Sequence, residues 1–93
     1  MAIIAARLII TGRVQGVGFR AWTRREARRR SLRGWVRNCV DGSVEALLIG
    51  QAEAVEAMVE ACRQGPGMAQ VEGVSRVPAQ DDGSRAFDER GTI

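Results

Sequence analysis

The chain has 93 residues, 45% hydrophobic and 27% charged, the balance of an ordinary folded domain rather than a disordered segment. At this length roughly 60–65% of the unfolded surface can be buried, so one domain spanning residues 1–93 around one modest core is expected. The absence of His, with only Cys39 and Cys62 as thiols, excludes a Ser-His triad, a His general base and a structural zinc site of Cys and His ligands.

The formal net charge of +3 conceals a strong asymmetry. Residues 1–37 carry ten arginines against Glu26 alone, whereas residues 38–93 carry four arginines and ten acidic residues. Such a field steers small anions toward the first half of the chain, and the same charge would also suit nucleic acid. Arg7 interrupts the apolar start, no small-residue cleavage site follows it, and no run of about 18 apolar residues occurs. A cytoplasmic, membrane-free protein with reduced thiols is expected.

In chain order, residues 7–11 (RLIIT) read as a β-strand that delivers the chain to the loop GRVQGVGFR at residues 12–20. Residues 21–31 then read as a helix with Phe19, Thr23 and Ala27 along a narrow apolar stripe and an arginine-covered outer face. Gly34 marks a break before a second strand at 35–38, and Asp41-Gly42 supplies the turn to a third strand at 44–49. A second helix over 52–63 places Ala52, Val55, Met58, Val59 and Cys62 on one face, with Gln51 a weak N-cap. Gly65-Pro66-Gly67 stops it, and residues 69–77 form a fourth strand whose valine spacing of three marks Gly73 as a bulge site. Residues 78–84 read as a polar loop, and residues 85–93 add a short fifth strand around Phe87. The order βαββαβ, with two helices on one face of an antiparallel sheet, is the α+β ferredoxin-like sandwich.

The glycine-rich loop carries the first chemical signal. If Gly16 and Gly18 let the backbone curl, the N–H groups of Gln15, Gly16, Val17, Gly18, Phe19 and Arg20 converge at a helix N-terminus. There they form an anion nest that Arg20 closes with its planar fork. The alternative is a plain strand-to-helix turn with Arg20 solvated. The spacing is neither that of a Walker A loop nor that of a dinucleotide fingerprint. Asn38, at the end of its strand, either caps the local backbone or serves chemistry. Trp22, Trp35 and Met58 read as packing residues.

The segments GRVQGVGFR (12–20) and LRGWVRNCVDGSVEALLIG (32–50) resemble the two signature segments of the acylphosphatases, and the similarity continues through QGPGMAQVEGV at 64–74. That resemblance implies a ferredoxin-like enzyme that hydrolyses acyl phosphates to a carboxylate and inorganic phosphate without metal or cofactor. It implies that Arg20 and the N–H groups of residues 15–20 bind the phosphoryl group, and that Asn38 positions the attacking water. The family's terminal strand commonly has a Phe-x-Ile-Arg type sequence, from which AFDERGTI departs after Phe87. A carboxylate leaving group, with a conjugate-acid pKa of about 4, departs without a proton, so a chain lacking His can run this reaction.

Two rival readings use the same fold: a catalytically silent binding domain and a nucleic-acid-binding module. RNA-recognition domains stack bases on aromatics in their central strands, and residues 7–11 and 44–49 contain none. No nucleic-acid partner and a monomeric state are therefore expected.

Overall fold

A computed structural model describes residues 2–93. The elements are β1 (Ile3–Arg13), α1 (Phe19–Arg29), β2 (Arg33–Asn38), β3 (Val44–Gln51), α2 (Ala52–Gln64), β4 (Gln70–Pro78) and β5 (Phe87–Arg90). They form one five-stranded sheet in the order β4-β1-β3-β2-β5. The β1–β3, β1–β4 and β2–β3 pairs are antiparallel, as the ferredoxin-like reading expects. The fifth strand lies parallel to β2, with Gly34 opposite Phe87, and makes the sheet mixed.

The core follows from strand alternation. Ala6, Leu8 and Ile10 of β1 and Val44, Ala46 and Leu48 of β3 face the helices, where they meet Phe19 and Ala27 of α1 and Val55, Met58, Val59 and Cys62 of α2. Each fully buried large apolar side chain is worth about 1.5–3 kcal/mol. The helix faces agree with the spacing in the sequence: Phe19, Thr23 and Ala27 are the buried residues of α1. Thr23 is accommodated because its hydroxyl donates to the Phe19 carbonyl at 2.8 Å. Burial pushes the Cys62 thiol up to about 12. Cys39 is half-buried, and the two thiols are unpaired.

Element ends differ from the sequence reading for local reasons. Helix α1 begins two residues earlier because Gly18, in the left-handed region, serves as its N-cap. It ends at Arg29 because Arg30 leaves helical geometry and Ser31 takes a φ of 59°. Gly34 lies within β2 rather than ahead of it. The bulge falls beside Gly73 as expected: Thr11 faces Gly73 and Gly12 faces Val71, which leaves Glu72 as the extra residue. Gln51 caps α2 with no side-chain hydrogen bond; the first α2 amide, that of Ala52, donates instead to the Ala2 carbonyl at 3.0 Å.

The opposite sheet face carries a smaller cluster of Trp35, Leu47 and Ile49, packed against Ala5 and Ala79. Guanidinium carbons of Arg37 and Arg90 sit 4.5 and 5.0 Å from the Trp35 ring centroid, and the indole N–H donates to Asp82 at 3.1 Å. The buried Glu45 carboxylate accepts from Arg7 at 2.8 Å and from Arg37 at 2.7 Å, tying three strands together. Trp35 is therefore a packing residue.

Phe87, 1% exposed, is the apolar anchor that docks β5. Phe87→Ala is expected to cost about 3–5 kcal/mol in urea unfolding. A cost below about 1 kcal/mol would contradict the docked position of this strand.

Candidate active site

Sheet register brings the two sequence signals together. Ile10 faces Val44 on β3, and Val44 faces Asn38 on β2, so the chain leaving β1 emerges beside the end of β2. Val14, 1% exposed, pins the start of the loop into the core. Gly16 and Gly18 then take φ values of 72° and 79°. A Cβ at either position would meet nothing within 4 Å, so these glycines answer a conformational demand rather than a steric one. Left-handed residues among right-handed ones are the backbone pattern of an anion nest, and Val17 between the two glycines packs its half-buried side chain against the core.

Helix α1 starts at the end of this curl. Its N-cap Gly18 offers no side-chain cap, and its first turn carries no acidic residue. The Trp22 N–H bonds back to the Gly18 carbonyl at 3.0 Å, while the amides ahead of it belong to the set that a helix leaves without intrahelical acceptors. Those amides and the positive end of the macrodipole lie at the cleft. Phe19 buries its ring and packs edge-on against Trp22, with centroids 5.4 Å apart, which fixes the first turn. Arg20 sits in that turn, half-buried. Among the described residues, the ion pairs that occupy Arg24, Arg28 and Arg29 on the same helix, and Arg30 just after it, do not include it.

Across the cleft, Asn38 ends β2 and its carbonyl accepts from the Ile93 N–H at 3.1 Å. The hairpin after it is capped by Asp41, whose Oδ1 accepts from the Ser43 N–H at 2.9 Å and the Ser43 hydroxyl at 2.6 Å. These bonds hold the Asp41 carboxyl below the usual carboxylate range. With Asp41 in the capping role, the Asn38 side chain makes no hydrogen bond to another described residue. Gly16, Gly18, Phe19, Arg20, Asn38 and Glu89, with Val14 and Ala21, line one cleft of about 160 Å³. Among the described residues, no group of three or more His, Cys, Asp or Glu has the arrangement of a metal site.

Two features of the cleft were not legible in the sequence. The first is the side chain of Gln15, proposed only as a source of a backbone N–H. Its Nε2 donates to the carbonyls of Cys39 and Ser43, both at 2.8 Å, and so clamps the loop to the hairpin that carries Asn38. No local pattern signals contacts 24 and 28 residues away. The second is Glu89 of β5, which shares a strand side with Phe87 and faces Val36 in the register. Period-two alternation from Phe87 was the available signal, but an acid on the inward side broke the pattern.

Comparison with known proteins gives the family. The acylphosphatase family profile matches residues 6–88. An acylphosphatase of Alcanivorax borkumensis is 56% identical over 81 residues, covering 85% of this chain and 88% of that one. One from Acidiphilium cryptum is 49% identical over 90 residues, covering 97% and 99%. The crystal structure of acylphosphatase from Bacillus subtilis superposes with a TM-score of 0.90 at 38% identity, covering 96% of this chain and 99% of that one.

Fold and cleft together define a small ferredoxin-like α+β enzyme domain with a cleft at one end of its sheet, lined by Arg20 and Asn38. The chain belongs to the acylphosphatase family, hydrolases of acyl phosphates.

The clamp has a direct consequence. Gln15→Ala removes two hydrogen bonds between loop and hairpin and is expected to lower stability by about 1–3 kcal/mol, read by chemical denaturation. An unchanged midpoint would show that the loop holds its place without the clamp.

Proposed function

We propose that this chain hydrolyses the carboxyl-phosphate bond of acyl phosphates by in-line attack of water, with the phosphoryl group held by Arg20 and the N–H groups of residues 15–20. The observation that carries the proposal is that Gly16 and Gly18 of the curled loop, Arg20 and Asn38 line one cleft. A phosphoryl group seated there meets converging amides, the positive end of α1 and a bidentate fork, which balance charge on its equatorial oxygens. Asn38, whose carboxamide has both donor and acceptor atoms, orients the water opposite the leaving oxygen.

The P–O bond to the acyl group breaks as the water oxygen bonds to phosphorus. The acyl oxygen leaves as a carboxylate and needs no general acid, because its conjugate acid has a pKa of about 4. The water's proton passes to the phosphate itself, and the products are a carboxylate and inorganic phosphate. Arg20 and the amides supply the charge stabilisation that a metal gives in other phosphoryl-transfer sites, so the reaction proceeds in EDTA.

The same reading makes one domain of residues 1–93, working as a cytoplasmic monomer without a nucleic-acid partner. Arginines on the outer side of α1 are engaged by Glu26, Asp88 and Glu89, and Trp35 is packed rather than presented for base stacking. Two unpaired thiols suit a reducing compartment. Among the described residues, no helix is long and apolar enough to cross a membrane.

Benzoyl phosphate is a suitable substrate for the test. Arg20→Lys, which replaces the fork by a single ammonium, is expected to lower kcat/KM by at least about 10²-fold. Asn38→Ala is expected to abolish turnover while phosphate still binds. Near-normal turnover in folded Arg20→Lys would remove Arg20 from the site, and equal loss of binding and turnover in Asn38→Ala would make Asn38 structural.

A further inference from the structure

Among the described residues, Glu89 is the one acidic residue lining the cleft. It comes from β5, on the same strand side as the buried Phe87, and its side chain is 30% exposed. Its carboxylate pairs with the Arg24 guanidinium at 3.5 Å, but Arg24 is not among the residues lining the cleft, so Glu89 is the member of the pair that faces the cleft. A carboxylate in the wall of an anion-attracting cleft opposes the dominant field there. The loop amides, Arg20 and the α1 N-terminus outweigh it at the phosphoryl position, because they converge on that point.

The rest of the substrate experiences a different balance. A cleft of about 160 Å³ has room for the phosphoryl group and a short acyl tail beside it, so the tail lies along the cleft wall. Glu89, in the wall and partly exposed, is the charge that such a tail meets. We propose that Glu89 is a specificity-determining residue, which favours acyl phosphates whose tail carries a cationic group and disfavours those with a second carboxylate. This rests on the proposed function, because it assumes that the phosphoryl group occupies the loop.

Between partly exposed unit charges several ångströms apart, the Coulomb energy corresponds to about three- to tenfold in affinity, and it is screened by salt. Cationic and anionic tails should thus differ by at least about tenfold.

Stable phosphonates of similar length read this without hydrolysis: 3-aminopropylphosphonate, propylphosphonate and 3-phosphonopropionate. Their dissociation constants would be measured by calorimetry at low salt and at 1 M NaCl, for the wild-type protein and for Glu89→Gln. The wild type is expected to bind in the order amine, neutral, carboxylate. In Glu89→Gln the spread should contract to within about threefold, and high salt should narrow the wild-type spread. The same amine-to-carboxylate ratio in both proteins, or a wild-type ratio near one, would overturn the assignment. Benzoyl phosphate turnover by the wild type, followed in parallel, separates the two readings: its absence refutes the hydrolase, whereas the phosphonate ratios judge Glu89.

Discussion

The site depends on a row of three residues across the sheet, Ile10, Val44 and Asn38, set by the antiparallel pairing of β1 with β3 and β3 with β2. Because Ile10 and Val44 are fully buried, this register is held by the core: a slip by one residue would turn both apolar side chains to the other face. With the register fixed, the chain leaving β1 has to turn beside Asn38. The loop thus inherits its position from hydrophobic burial, and Gln15 adds the polar clamp that fixes its height over the hairpin.

Electrostatics then distinguishes one arginine from the others. Arg24, Arg28 and Arg29 of helix α1 have carboxylate partners on the same helix or on β5, and Glu26, shared by Arg29 and Arg30, is held below its usual titration range chiefly by its hydrogen bond to Arg30. Arg20 is placed where the backbone itself is cationic, at a helix start with no acidic residue in its first turn. A site of amides, one guanidinium and one carboxamide suits a reaction whose leaving group needs no proton. The proposed assignment lets a chain without His serve as a hydrolase.

Most of this arrangement was legible in the sequence. The helix stripe of Phe19, Thr23 and Ala27 and the apolar face of α2 follow from a 3.6-residue period, and both are buried as that period requires. The curl at Gly16 and Gly18 was readable because glycine spacing encodes backbone conformation directly. Strand β5 was only partly readable, since Asp88, Glu89 and Arg90 offer no alternation and the strand is defined by parallel pairing with β2 and by the docking of Phe87. Its contribution to the cleft, through Glu89, exists only once the sheet has assembled, and so does the reach of Gln15 across to Cys39 and Ser43. The two-residue shifts at the start and the end of α1 trace to Gly18 and Ser31, whose φ values a periodicity pattern does not register.

The central claim is that the amides of residues 15–20 and Arg20 form the phosphate site. Its most direct test is an NMR titration of the ¹⁵N-labelled protein with inorganic phosphate, read at the backbone amides and arginine Nε groups. The account predicts saturable shifts concentrated at residues 15–20 and at the Arg20 Nε, with Asn38 perturbed beside them. Shifts spread over the outer arginines of α1, with residues 15–20 unmoved, would contradict it.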